Sequence, residues 1–137
     1  MSWDLFVHGM APSAHGAGDD PSGFEPRPLG LRADIIRRIQ QVVPAADFSD
    51  PSWGTFEAPD FSVEFNMGDD GPIDCFALHV RGGDMAAGFV ADLLARCGWR
   101  ALDPASDSGM FDPATALASL RRWRAYRDHV IPGDTAG

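Results

Sequence analysis

Lysine is absent from this chain, and all eleven basic side chains are arginine. We read that as the codon habit of a GC-rich genome rather than as chemistry. Basic charge is scarce altogether, with 20 acidic residues against those 11 and a formal charge of −9. This argues against non-specific nucleic-acid binding, which works mainly by neutralising phosphates. A negative field also slows approach to an anionic membrane. No apolar run reaches the ~18 to 20 residues that a membrane span needs. The opening "MSWDLFVHGM" lacks a basic region and carries Asp4 inside its apolar patch, so no secretory signal is expected. The expected compartment is the cytoplasm, with reduced thiols. There are only two cysteines, Cys75 and Cys97, without CxxC spacing, which excludes a zinc knuckle and a thioredoxin motif. His8, His15, His79 and His129 show no metal-ligand spacing either. No metal and no cofactor is expected.

What is present suits one globular domain over residues 1–137, with 45% hydrophobic and 23% charged residues. "SWDLFVH" alternates Trp3, Leu5 and Val7 against Asp4, Phe6 and His8, which predicts a first strand. Residues 9–30 are rich in Gly, Pro and Asp and have no period, so they read as a long loop. "RADIIRRIQQVVP" puts Ile35, Ile36, Ile39, Val42 and Val43 on one helical stripe, stopped by Pro44. "FSVEFNM" and "IDCFALHVR" alternate about the turn "GDDGP" and predict a hairpin. Its inward residues are Phe61, Val63, Phe65, Met67, Phe76, Leu78 and Val80, leaving Cys75, Ala77, His79 and Arg81 outward. A second helix carries Phe89, Val90, Leu93, Leu94 and Cys97, with Asp84 as N-cap and Gly98 past its end. A short strand in "WRALD" and a third helix follow, the latter opened by Asp112 and Pro113. Residues 132–137 read as a flexible tail.

This order predicts an α+β fold of the ferredoxin-like split βαβ kind (βαββαβ), with helices on one sheet face and an extra C-terminal helix. The alternative is an α+β sheet with one more strand at Thr55–Glu57.

"HVRGGDMAAG" leads from a strand through two glycines into a helix, the layout of a phosphate cradle. Its G-G-x4-G spacing matches neither dinucleotide nor Walker fingerprints. Asp84 stands where a phosphate would sit, and its carboxylate can satisfy the free N–H groups. The stretch reads as a tight capped turn, with Gly88 allowing close packing on the sheet.

The open sheet face is the more specific candidate. Matching polar faces sets Asp4 near His79, Phe6 near Ala77 and His8 near Cys75, each pair within cross-strand reach. Asp4, Glu64, Asn66, His79 and Arg81 are therefore candidate binding residues. Cys75 and His8 are candidates for a thiol site, in which the imidazole lowers the thiol pKa. The simpler reading is a wetted face with ordinary ion pairs, Asp4 with His79 and Glu64 with Arg81, and a Cys75 that only fills space. On the third helix, Arg121, Arg122, Arg124 and Arg127 beside Trp123 and Tyr126 could meet nucleic acid. In so acidic a chain they read instead as partners of nearby carboxylates, with Leu117, Leu120 and Trp123 inward.

Taken together, "MSWDLFVH", "SWGTFEAPDFSVEFNMG", "LHVRGGD" and "GWRALDPASDSGMF" resemble a family of small uncharacterised bacterial proteins. That resemblance spans most of the chain and implies no known activity. "SWDLFVH" and "ALDPASDSGMF" are also similar to small immunity-like bacterial proteins that begin with a D-L strand and end in a D-P turn. This similarity transfers no functional residue. The expected function is a small cytosolic binding protein without catalysis, immunity-like or regulatory. It would meet a protein partner, or a second copy through the sheet or the third helix. The alternatives are a small enzyme using Cys75 with His8, and a small-ligand sensor.

Overall fold

The computed structural model describes residues 2–10, 26, 27 and 29–130. Most of the expected 9–30 loop, the 132–137 tail and His15 lie outside the described residues, as do the side chains of Arg127 and His129.

Alternation of apolar and polar residues builds a six-stranded antiparallel sheet. Its strands in chain order are β1 (Trp3–Met10), β2 (Pro26–Arg27), β4 (Trp53–Glu57), β5 (Phe61–Asn66), β7 (Cys75–Gly82) and β8 (Arg100–Leu102). A two-stranded ribbon pairs β3 (Gly30–Leu31) with β6 (Pro72–Ile73). The helices are α1 (Arg32–Val42), α2 (Met85–Cys97) and α3 (Ala116–Val130). None is long and apolar enough to cross a membrane.

In the sheet, β1 lies beside β7, then come β5 and β4, while β8 and β2 share the outer edge of β1. This is an α+β architecture, but its order is not that of a simple split βαβ. The added strand is β4, which extends the expected Thr55–Glu57 segment back to Trp53 and pairs all of it with β5. The β5–β7 connection is also longer than a five-residue turn, because β6 peels away to pair with β3. Gly68 and Gly71, both at positive φ, make the bends this needs.

One sheet face is wholly apolar. Trp3, Leu5, Val7, Val63, Phe65, Phe76, Leu78 and Val80 are buried on it, together with Ile35 and Ile39 of α1 and Val90, Leu93 and Leu94 of α2. Phe89 of α2 stacks on Phe56 at 5.1 Å and meets Phe61 at 5.2 Å, which ties the helix to the β4–β5 side. α3 begins later than Asp112 and Pro113 suggested. Those residues form a turn first, in which Asp112 Oδ1 accepts from the Ala114 N–H at 2.9 Å. Leu120 and Trp123 are buried as expected, but Leu117 is 37% exposed, and Ala116 and Ser119 take the inward positions beside them.

Asp103 is a buried polar junction that no periodic pattern announces. It is 1% exposed and accepts from the Trp3 indole N–H at 3.0 Å, the Ser119 hydroxyl at 2.6 Å and the Ala105 N–H at 3.0 Å. It ties β1, the turn after β8 and α3 together.

The glycine turn at the start of α2 is closed by the chain itself. Gly82 sits at φ 120°, where a side chain would run into the backbone of Asp60 and Phe61. A Cβ on Gly83 would strike the Asp60 carboxylate. That carboxylate, and not Asp84, takes the helix-end N–H, accepting from Met85 at 3.1 Å. Asp84 holds the N-cap position with helical backbone angles and makes no capping bond. Its carboxylate instead receives Arg121 at 2.7 Å and Arg124. Those two guanidinium groups, Arg121 foremost, hold the Asp84 carboxyl down at about 2. A depressed folded-state pKa stabilises above the unfolded value of 3.8, and the contribution is lost as pH falls through about 2. Acid titration of wild type and Asp84→Asn should therefore converge in stability below pH 4. Curves that stay parallel down to pH 2 would show that the pair does not dock α3.

Gly88 does not serve close packing. It is exposed and a Cβ there would meet nothing. Gly88→Ala should raise stability by about 0.5 to 1 kcal/mol, from helix propensity and a less free unfolded chain, as read by urea denaturation.

Candidate functional site

The second sheet face is polar, and strand pairing fixes which of its side chains meet. Asp4 pairs with His79, Phe6 with Ala77 and His8 with Cys75, the register expected from the sequence. On the other side of β7, Glu64 pairs with His79 and Asn66 with Ala77. Thr55 then pairs with Glu64, and Trp53 with Asn66. One row across the sheet thus reads Thr55, Glu64, His79, Asp4.

A shallow open hollow of about 510 Å³ forms over this row, lined by Ser2, Asp4, Trp53, Glu64, His79, Arg81 and Trp123. Four of the five expected binding residues are gathered here. Asn66 is not among the lining residues. The polar groups are already engaged with one another. Asp4 Oδ1 lies 2.8 Å from His79 Nδ1 and also accepts from the Ser2 hydroxyl. Arg81 donates to Glu64 Oε1 at 2.7 Å. The Arg81 bond lowers the Glu64 pKa most, against a smaller opposing effect of burial, with a further hydrogen bond from the Trp53 indole. The Trp53 ring stacks on the His79 ring at 5.5 Å with 21° between planes, and Trp53 is still 39% exposed.

Sequence reading missed both tryptophans. Trp53 stands in the turn-rich "DFSDPSWG", but it shares the parity of Thr55, so a strand begun two residues earlier would have placed it on this face. Trp123 has the stripe of a core residue and is one, at 8% exposure, while it also walls the hollow. It arrives because α3 is anchored beside β7, where Arg124 donates to the Gly82 carbonyl at 3.2 Å and pairs with Asp84. Arg121, Arg122 and Arg124 of α3 thus answer carboxylates, with Arg122 bonded to Asp107 at 2.7 Å.

Cys75 and His8 form a second locus. Cys75 is four residues along β7 from His79, about 13 Å in an extended strand. Cys75 is exposed and faces His8 in register. His8 shares the parity of the exposed Phe6, yet it is only 4% exposed. Burial lowers its pKa, with Arg100 adding to the effect and a backbone hydrogen bond at Gly9 opposing it. Cys97 lies inside the α2 stripe, and burial pushes its thiol up, against a hydrogen bond from Arg38. Native labelling with a thiol reagent should modify Cys75 first, because Cys97 is both shielded and less ionised. Faster labelling of Cys97 would mean the two faces are reversed.

In comparisons with known proteins, no family model, no curated protein and no solved structure matches the chain.

Proposed function

We propose that this chain is a small cytoplasmic binding protein without catalysis, of an immunity-like or regulatory kind, and that the polar face around His79 is its binding surface. The observation that carries the reading is the hollow itself. Its ionic groups are paired with each other in a fixed frame, and an exposed Trp53 stands on that frame. Such a frame offers shape, a stacking surface and oriented dipoles, which are the means of recognition. We also read β8, β1, β7 and β5 as a ferredoxin-like core to which β4 and β2 are additions. The support is that α1 lies between β1 and β5 in the chain, and α2 between β7 and β8.

The test is retention from a host extract on the immobilised full chain, compared with His79→Ala. Mass spectrometry should find a species held by wild type and lost by the variant at unchanged melting temperature. Identical retention by both proteins would remove the face from consideration.

A second reading has one observation behind it, the exposed Cys75 opposite His8. A neutral imidazole can accept the thiol proton, and thiol transfer or hydrolysis are the reactions such a pair serves. Cys75→Ser separates the two readings. Retention of the same species by this variant would eliminate the thiol site as its binder.

A further inference from the structure

Beside the His79 row, the same sheet face carries a row of a different kind. Trp53 pairs with Asn66, Asn66 with Ala77, Ala77 with Phe6 and Phe6 with Leu102, so this row crosses β4, β5, β7, β1 and β8. Trp53, Phe6 and Leu102 are three of the seven exposed large apolar side chains among the described residues. They share one row, and an exposed apolar row with polar groups on both sides marks an interaction surface. Its rim on one side is the row of Asp47, Thr55, Glu64, His79 and Asp4, because Asp47 bridges to Thr55 at the outer edge of β4. One row further on, Glu57 pairs with Ser62, and Ser62 with Arg81. These two rows hold four carboxylates and a single guanidinium, Arg81, which is paired with Glu64. The rim is therefore negative whether His79 is neutral or protonated. The opposite rim is Cys75, His8 and Arg100.

We infer that the Trp53–Phe6–Leu102 row docks an amphipathic helix of a partner protein, its lysine- or arginine-bearing flank toward Asp47, Glu57 and Asp4; this rests on the binding reading above. Charge selects the partner. The chain carries −9, and its four histidines could not cancel that even if all were protonated. Such a field repels a second copy and a nucleic acid, and draws in a basic segment. Backbone chemistry selects the helix. Both sheet edges that the row reaches are taken, β4 by Asp47 at Thr55 and β8 by Met110 at Leu102, so no strand can be added there. An extended segment lying on the face would leave its own N–H and C=O groups unpaired, whereas a helix satisfies them internally. The row spans about 19 Å at ~4.8 Å between strands. Roughly 13 helical residues cover that length at ~1.5 Å each. Trp53 and Phe6 supply aromatic anchors, and Asn66 sets an amide donor and acceptor between them.

The test is binding of a fluorescein-labelled peptide to the full chain, read by anisotropy. The probe is a helix-forming peptide of about 14 residues, with leucine on one face and arginine on the other. A scrambled peptide of the same composition and a version with glutamate for arginine run beside it. The expected result is saturable binding about tenfold tighter than that of the scrambled peptide, weakened by salt. Phe6→Thr and Leu102→Thr should each weaken it about tenfold at near-native melting temperature. Asp47→Asn should weaken it less and flatten the salt dependence. Met85→Thr, which removes an exposed apolar side chain of α2 instead, should leave it unchanged. No binding, equal binding of either control peptide, or indifference to Phe6→Thr and Leu102→Thr would each overturn the assignment. So would a dimer of the chain alone in sedimentation that Phe6→Thr abolishes, since the face would then belong to a second copy. If the peptide fails while extract retention still depends on His79, only the partner class falls. If both fail, the binding reading falls with it.

Discussion

Truncating Phe65 should destabilise the protein by about 3 to 5 kcal/mol, whereas truncating His79, its neighbour in the sheet, should cost about 1 kcal/mol or less. The two residues lie on adjacent strands and opposite faces. Phe65 is fully buried and meets the Phe48 ring at 5.4 Å, so Phe65→Ala leaves a cavity inside a core that cannot collapse around it. Gly54 shows how tight that region is, since a Cβ there would run into the Phe48 ring. His79→Ala removes one hydrogen bond to Asp4 and one stacking contact with Trp53 from a partly exposed row. Urea denaturation of the two variants measures the contrast. Equal losses would mean that the polar face is covered by another layer, and the hollow would then be an interface or a second core.

The second large effect is expected at Asp103. Asp103→Ala should cost roughly 2 to 4 kcal/mol, because the Trp3 indole N–H and the Ser119 hydroxyl lose a buried acceptor at about 1 to 3 kcal/mol each. Asp103→Asn keeps one acceptor oxygen and should recover part of the loss. The damage should also spread, since Asp103 links the start of β1 to α3, the helix that brings Trp123 to the hollow. Hydrogen exchange in α3 should therefore rise more than in α1. A variant with native stability would mean that the junction is satisfied by other groups.

The contrast between these two positions shows what the sequence could reveal. Phe65 and His79 are legible because strands alternate. Alternation fixes the faces but allows shifts of two residues, and the simplest alignment that puts Asp4, Phe6 and His8 on the same side as His79, Ala77 and Cys75 is the β1–β7 register found. Asp103 has no such periodicity behind it, being one aspartate in "ALDPASDSG", and only the arrival of α3 makes it a junction. The glycine turn failed in an instructive way. A carboxylate was expected at the start of α2, and one is there, but it belongs to Asp60, twenty-five residues before Met85. Asp84, the local candidate, was free to turn to Arg121 and Arg124 because that place was filled. His8 carries the parity of an outward residue and is buried regardless, since parity gives the direction of a side chain and not what lies over it. Trp53 was lost for the opposite reason, a strand masked at its start by "DPSWG", where turn residues outnumber strand formers.

The claim on which the rest depends is that binding occurs at the row of Asp4, Glu64 and His79. It is tested most directly by mapping backbone amide and indole chemical shifts of the labelled chain as the species retained from host extract is added. The account predicts shifts concentrated at Asp4, Trp53, Glu64, His79 and Arg81, with the Trp53 indole moving most and Cys75 and His8 little. Shifts centred on Cys75 and His8, or spread over α1 with the hollow unchanged, would contradict it.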